Sequence, residues 1–391
     1  MKFGVIKLHS MLSGDDREVE LEAKEFLSAA KGDEDIEFVE PLPEGPNFFL
    51  IQTGGSEEFF VKAKDQYKEP YLIVPQGKRN SIAAALEIMS YLNRNGLRGE
   101  LILDNVAERL IDSQKAGEIP PVATYGIIGE PSPWLISSGV SEEECLRRLN
   151  VRLERISLDE LYAEFNKASD EPVKGYALEE LTENKNQLVR NYKLYHALKA
   201  VLERHKLDGF TLRCFDLIQT ETITACLPYG ILMDEGYLCG CEGDVPALLT
   251  MHLFKQIIGK ATFMANPERF EFDQNRILFA HCTCPIGMCN SYTLDTHFES
   301  GLDFGIKGTM PLGAVTAAKI SADLKEIRIM KGRALPHEFE DGICRTQIMV
   351  EFEEDIHGLF ENPFGNHVIF VFGDYSADIK ALAEKLHLFI R

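Results

Sequence analysis

The first 165 residues alternate short apolar runs with segments of helical period, and this alternation restricts the fold more than any other feature of the sequence. Each apolar run has the length of a strand, and the segment after it repeats apolar residues every three or four positions. Strand and helix in regular alternation predict a parallel sheet covered by helices on its faces. The first four apolar runs lie at 3–8, 47–55, 70–76 and 99–104.

From about residue 270 the pattern changes to short strand-like runs separated by turns, such as "RILFAH", "GAVTAAKIS" and "HVIFVF". This pattern is typical of a small barrel or sandwich. The sequence therefore predicts an α/β protein in which N-terminal parallel-sheet α/β domains are followed by a β-rich, barrel-like C-terminal domain. Because the segment 166–175 is polar and rich in turn residues, we expect domains at 1–170, 171–270 and 271–391.

The charge balance is strongly acidic, with 62 acidic and 41 basic residues among 391 and a formal net charge of -21. Nucleic acids and anionic membrane surfaces attract clustered Lys and Arg, so this balance argues against both as partners. The N-terminal residues form no apolar run long enough for a secretory signal or a membrane span. We therefore expect a cytoplasmic protein whose nine cysteines are reduced thiols.

The stretch "GYLCGCEGDVPALLTMHLF" at 236–254 places Glu242 and Asp244 in a turn before a helical run. The free N–H groups of a helix N-terminus favour negative charge, so both carboxylates can serve simply as helix caps. Farther along the chain, His281 and His367 lie at the ends of apolar strands. Imidazole and carboxylate together suit Mn²⁺ or a similar divalent ion, which makes these residues a candidate metal site as well.

Other polar and aromatic residues stand out against apolar neighbours. His297 and Glu299 in "THFESG" and Arg345 in "CRTQ" indicate a polar site or mutual pairing, because a lone buried charge is unfavourable. Trp134, the single tryptophan, lies in a loop rich in Gly, Pro and Ser. That loop is either a plain connection or a platform on which a sugar ring stacks.

Three segments, in this order, resemble the L-fucose/L-arabinose isomerase family: "CEGDVPALLTMHLFKQIIGKATFM", "ILFAHC" and the late "GNHVIFVFGD". The resemblance covers about residues 170–391, and over the N-terminal half it rests on the α/β architecture alone. It implies that Glu242 binds a metal and handles a proton, and that His281 and His367 are metal ligands. It further implies Mn²⁺ or another divalent cation as the cofactor, a sugar as the substrate, and assembly as a homo-trimer or homo-hexamer.

The sequence departs from this family at the second acidic ligand, which the resemblance places at 265–266. Ala265 and Asn266 stand there, and an amide offers a neutral oxygen but takes up no proton at pH 7. Either another acid such as Asp244, Glu299 or Glu268 replaces it, or the metal is bound more weakly, or isomerase activity is lost. Because the other motif residues are retained, the first outcome is favoured.

The resemblance implies a metal-dependent aldose–ketose isomerase that acts on a monosaccharide through an enediol, with a deoxy or sulfo sugar such as fucose or sulfoquinovose as a candidate. The cation stabilises charge on the substrate oxygens while a carboxylate carries a proton between C1 and C2. Alternatives are a non-catalytic sugar-binding protein, an epimerase on the same scaffold, and a zinc or thiol-based redox protein built on the Cys-x-Cys pairs at 239–241 and 282–284. The residues predicted to act are Glu242 and Asp244 in catalysis, Glu242, His281 and His367 at the metal, and Arg213, Asn266, Glu299 and Arg345 in substrate binding.

Overall fold

The computed structural model describes residues 1–10, 16–95, 97–116 and 123–391 of the chain. The chain divides into two compact units, Met1–Ile119 and Pro120–Arg391. Among the described residues, no helix combines the length and the apolar character needed to cross a bilayer.

The first unit is built on a parallel sheet of five strands. Its elements are, in chain order, β1 Lys2–Leu8, α1 Asp16–Lys31, β2 Glu37–Val39, β3 Asn47–Ile51, α2 Glu57–Ala63, β4 Tyr71–Pro75, α3 Ser81–Arg94, β5 Gly99–Leu101 and α4 Val106–Ala116. The strand order is β2-β1-β3-β4-β5, and every neighbouring pair is parallel. The central strand β3 is buried along most of its length, as expected for a parallel sheet with both faces covered.

The second unit begins with another parallel sheet, of four strands. Its elements are β6 Ala123–Ile128, α5 Glu142–Leu149, β7 Val151–Ile156, α6 Leu158–Lys167, α7 Lys185–His205, β8 Gly209–Leu212, α8 Cys214–Glu221, α9 Cys226–Asp234, β9 Leu238–Cys241 and α10 Val245–Ile258. The strand order is β7-β6-β8-β9, and all three pairings are parallel. The carboxyl ends of its strands therefore lie along one edge of this sheet.

The rest of the second unit is dominated by strands. Its elements are β10 Phe263–Glu271, β11 Arg276–His281, β12 Ser291–Thr296, β13 Phe304–Thr309, β14 Gly313–Ile320, β15 Glu326–Leu335, β16 Thr346–Phe352, α11 Gly358–Glu361, β17 Val368–Phe372, α12 Ser376–Lys385 and β18 Phe389–Ile390. Six strands pair in the antiparallel order β16-β11-β10-β17-β14-β15, and a further pairing of β15 with β16 closes them into a barrel. The hairpin β12–β13 extends the sheet beside β16, and β18 pairs with β15.

This architecture confirms the predicted fold class, with parallel α/β sheets followed by a β-rich, barrel-like region. The domain boundaries in the structure lie elsewhere than the predicted ones. The predicted boundary at residue 170 lies inside the four-stranded sheet, because β6 and β7 precede it while β8 and β9 follow it. The predicted boundary at residue 270 lies within β10. Local periodicity marks strands, but it does not show which strands pair with one another.

Candidate active site

Three segments that bear on the site follow adjacent strands of the four-stranded sheet. The loop that carries Trp134 follows β6, Arg213 follows β8, and Glu242 follows β9. Since these strands are parallel neighbours, their carboxyl ends meet at one edge, where ligands bind in sheets of this kind.

The backbone of the turn at Glu242 and Gly243 aims the Glu242 side chain. Both residues have positive φ, of 63° and 79° respectively. A Cβ on Gly243 would lie 2.4 Å from Cα of Pro131, so only glycine fits this close approach. The carbonyl of Glu242 accepts a hydrogen bond from the N–H of Ser132 at 2.8 Å. The loop after β6 and the turn after β9 are thus held against one another.

Asp244 is the N-cap of α10 and is completely buried. Its carboxylate accepts hydrogen bonds from the N–H of Ala247 at 2.8 Å and from Nζ of Lys319 at 2.9 and 3.2 Å. It also accepts a hydrogen bond from Nδ1 of His367 at 2.8 Å. Burial raises the pKa of Asp244, but the charge of Lys319 and the contact with His367 outweigh it and hold this pKa well below the usual range. Asp244 is therefore ionised inside the protein, where it holds the His367 ring in place.

His367 lies just before β17 and is completely buried. With Nδ1 bonded to Asp244, the neutral form of the ring presents an unprotonated Nε2 on its other side. Burial lowers the pKa of His367, but the hydrogen bonds and charges of Asp244 and Glu242 outweigh burial and raise it. That Nε2 is buried and has no hydrogen-bond partner, and it lies 3.7 Å from Oε1 of Glu242. A histidine oriented by a carboxylate, with a lone pair aimed at a second carboxylate, is the arrangement in which proteins hold metal ions.

His281 ends β11 and is also buried. Its ring lies edge-on to that of His367, with centroids 5.7 Å apart. Burial and the neighbouring His367 lower the pKa of His281 to about 3, so its imidazole is neutral at pH 7. The N–H of Thr283 donates to its Nδ1 at 3.1 Å. In this arrangement the proton is on Nε2, and coordination through Nε2 requires the proton to move to Nδ1 and this hydrogen bond to break.

The structure brings Glu242, His281 and His367 together, with one potential ligand atom from each within 4.8 Å of the others. Among the described residues this is the one such group of three or more, and no cysteine belongs to it. One carboxylate oxygen and two imidazole nitrogens suit a divalent transition metal such as Mn²⁺ or Zn²⁺. Nε2 of His367 is buried without a hydrogen-bond partner, and a bound cation would supply that partner.

Trp134 is half exposed, and its Nε1 donates a hydrogen bond to Oε2 of Glu242 at 2.8 Å. Its ring meets Phe215 edge-on with centroids 5.2 Å apart, and Phe215 in turn meets His297 at 6.2 Å. Burial and Arg345 lower the pKa of His297 to about 4, so this imidazole is neutral as well. The loop after β6 therefore contacts the candidate metal ligand directly.

Two further carboxyl groups lie close to this cluster. Glu299 has an exposed side chain, and partial desolvation together with the charge of Glu242 raises its pKa. Glu268 lies where the register of β10 against β11 shifts, and burial together with Glu299 raises its pKa. Carboxyl groups with raised pKa values beside an ionised one are typical of acid–base sites.

The remaining residues predicted to bind substrate make contacts outside the group of Glu242, His281 and His367. Asn266 is on β10 beside Ala280, the residue before His281, and its Oδ1 accepts a hydrogen bond from Asn366 at 3.1 Å. Arg345 donates to the carbonyl and hydroxyl oxygens of Thr296 at 2.7 and 3.0 Å. Arg213 makes an ion pair with Asp216 at 2.7 Å, three residues along its own chain segment.

Lys319, which is not among the residues predicted from the sequence, lies on β14 and is buried against Asp244. A signal was available, because this lysine interrupts the apolar run "AVTAAKIS" at a position where the strand is buried on both sides. A charged residue in such a run indicates a buried partner of opposite charge.

No protein-family model matches the chain. The chain is 22% identical over 375 residues to the sulfoquinovose isomerase of Priestia megaterium, and this alignment covers 86% of this chain and 82% of the relative. The sulfoquinovose isomerase of Priestia aryabhattai gives the same figures. A sulfoquinovose isomerase from a Clostridium species is 24% identical over 276 residues, which cover 63% of this chain and 59% of the relative. The similarity to these relatives supports the predicted enzyme class, a sugar aldose–ketose isomerase.

Proposed function

We propose that this chain is a metal-dependent aldose–ketose isomerase and that its substrate is sulfoquinovose or a closely similar sugar. The observation that carries the proposal is the cluster of Glu242, His281 and His367, with His367 oriented by the buried Asp244. The choice of sugar rests on the relatives, which are named for sulfoquinovose.

The reaction moves two hydrogens and leaves the composition of the sugar unchanged. A base removes the proton from C2 of the open-chain aldose, and the electron pair forms a C1–C2 double bond while O1 takes up a proton, giving an enediol. The hydroxyl proton on O2 is then lost as the C2 carbonyl forms, and C1 receives a proton. A divalent cation bound here would stabilise the negative charge on O1 and O2 as a Lewis acid.

The residues of the chain fit distinct roles in this scheme. Glu242 and His367 are the proposed ligands that need no change of tautomer, and His281 joins them once its proton is on Nδ1. Burial opposes ionisation of Glu242, but the attraction of His367 outweighs it and the pKa of Glu242 is lowered, as suits a ligand or base.

The proton that enters at C1 or O1 needs a donor. Glu299 suits this role, since its raised pKa keeps it protonated to higher pH than an ordinary glutamate. Glu299 would thereby replace the proton-transferring acid that the family resemblance places at 265–266, where this chain has Asn266. Asp244, whose oxygens already accept four hydrogen bonds, is suited to orienting His367 rather than to transferring protons.

The first test is proton NMR of sugars incubated with the purified protein and Mn²⁺ in D₂O. Sulfoquinovose, glucose, fucose and arabinose form the panel. We expect sulfoquinovose to give the matching ketose with deuterium incorporated at C1. Glu242→Gln should remove this turnover, and Glu299→Gln should reduce it while leaving Mn²⁺ binding intact.

The outcomes separate the competing functions. Turnover that survives exhaustive chelation would contradict the metal-dependent mechanism. Saturable sugar binding without exchange of the C2 hydrogen would favour a non-catalytic binding protein. Inversion at C2 without ketose would favour an epimerase.

A further inference from the structure

A cavity of about 260 Å³ opens beside the barrel, next to the candidate metal cluster. It lies between β10, β14, β15 and the segment 359–368, and His367 belongs both to its lining and to the cluster. The cavity is therefore adjacent to the place where the reacting end of a sugar would bind.

The charges around this cavity are all of one sign. Lys319 and Arg328 are the lysine and arginine that line it, and no Asp or Glu does so among the described residues. In a chain with 62 acidic and 41 basic residues, a cavity without a carboxylate is unexpected. A cavity of this charge suits an anionic ligand.

Arg328 is the lining cation that makes no direct ion pair with a described carboxylate, and Glu326, which attracts it, pairs with Arg391. Lys319 is paired with Asp244, whereas no described carboxylate lies within ion-pair distance of Arg328. Its guanidinium donates to the main-chain carbonyl of Gly358 and, at 3.1 Å, to that of Asn362, which fixes it at the cavity wall. Its face lies over the ring of Phe364, 5.4 Å from the centroid.

The other walls are apolar or carry amides. Phe270, Phe360 and Phe364 supply aromatic surface, and Asn366 supplies an amide next to His367. Aromatic faces and amides are the groups that proteins offer to the two sides of a sugar ring, while a guanidinium fork matches a tetrahedral oxyanion.

We propose that this cavity holds the end of the substrate remote from the reacting carbons, and that Arg328 binds a sulfonate carried there. This inference rests on the proposed function, because a sulfoquinovose molecule with C1 and C2 at the cluster carries its sulfonate at C6, the opposite end of the chain of carbons. Arg328 is thus a specificity-determining residue that selects an anionic sugar over a neutral one.

The test compares Arg328→Met with the wild-type protein, using sulfoquinovose and glucose as probes. Calorimetric titration and steady-state kinetics with Mn²⁺ report binding and turnover separately. We expect Arg328→Met to weaken sulfoquinovose binding and raise its KM about 10- to 100-fold, with little change for glucose. Arg328→Lys, which keeps the charge but loses the fork, should fall between the two.

Arg276→Met is the matched control, since Arg276 lies on barrel strand β11, pairs with Glu351 and lies outside the cavity lining. This control should leave the binding and the KM of both sugars unchanged.

Equal weakening of sulfoquinovose and glucose binding in Arg328→Met would overturn the inference, as would an unchanged sulfoquinovose KM. If the wild-type protein binds sulfoquinovose through Arg328 without turning it over, the proposed isomerase function fails while the subsite stands. If the wild-type protein turns over sulfoquinovose with no loss in Arg328→Met, the proposed isomerase function stands and the subsite fails.

Discussion

At the scale of single residues, the site depends on groups whose partners lie far along the chain. Asp244 contacts Lys319 and His367, 75 and 123 residues away, and Glu242 contacts Trp134, 108 residues away. Each of these contacts fixes a charge or a lone pair in the cluster. Substitution of Lys319 or Trp134 should therefore change the chemistry without altering the proposed metal ligands.

Trp134→Phe removes the N–H that donates to Glu242 and keeps an aromatic ring. A hydrogen bond to a charged acceptor contributes about 1.5–3 kcal/mol, so we expect kcat/KM to fall by about tenfold or more. Because Trp134 is the only tryptophan, its fluorescence in the wild-type protein also reports on the site. Mn²⁺ should quench that fluorescence, and an unquenched signal at saturating Mn²⁺ would contradict binding at Glu242.

Lys319→Met removes the cation that faces Asp244 and leaves a buried carboxylate without its counter-charge. Loss of one partner from a buried pair costs about 3–5 kcal/mol, so the free energy of unfolding measured in urea should fall by that order. Lys331→Met is the control, because Lys331 makes ion pairs with Glu353 and Asp374 at the surface of the same barrel. Equal losses of unfolding free energy in the two variants would show that the buried pair of Lys319 and Asp244 contributes no more to stability than a surface ion pair.

At the scale of elements, the turn between β9 and α10 combines a sharp change of chain direction with a helix cap. Positive φ at Glu242 and Gly243 turns the chain sharply, and the cap by Asp244 then begins the helix. The side chain before the helix is left at the carboxyl edge of the sheet, while the cap itself is buried. Two carboxylates two residues apart thus face different environments and fit different roles.

Gly243→Ala tests how tightly this turn is packed. The added Cβ meets Pro131 at 2.4 Å in a backbone conformation that alanine resists, so stability and turnover should both fall. Gly236→Ala is a matched control, since Gly236 has a φ of 94° with open space around its Cβ position. That variant should lose about 1–2 kcal/mol of stability from the backbone conformation alone and keep its turnover. Similar behaviour of the two variants would mean that the contact with Pro131 does not shape the site.

At the scale of the whole molecule, the cluster joins the four-stranded sheet to the barrel within one compact unit. Glu242 comes from the sheet, whereas His281 and His367 come from barrel strands. A cation held by all three would therefore stabilise this unit against unfolding. The homo-trimer or homo-hexamer that the family resemblance implies stays a prediction.

Binding to the folded state alone should raise the free energy of unfolding by about 2.7 kcal/mol at a Mn²⁺ concentration 100 times Kd. Thermal unfolding with Mn²⁺ and with a chelator should therefore differ in Tm for the wild-type protein, and Glu242→Gln should abolish most of the difference. Asp374→Asn, on the barrel surface, is the control that should retain it. An equal Mn²⁺ effect in Glu242→Gln would place the cation elsewhere.

The sequence by itself determined the local features of this protein. Periodicity separates the α/β part from the β-rich part, and the "CEGDVPALLTMHLF" motif with two strand-end histidines marks the cluster residues, because each of these signals is contained in a few neighbouring residues. Only the tertiary structure decided which residues meet. The roles of Lys319 and Arg328, and the contact of Trp134 with Glu242, depend on the closure of the barrel and on strand order, and these are set by packing between segments about 100 residues apart.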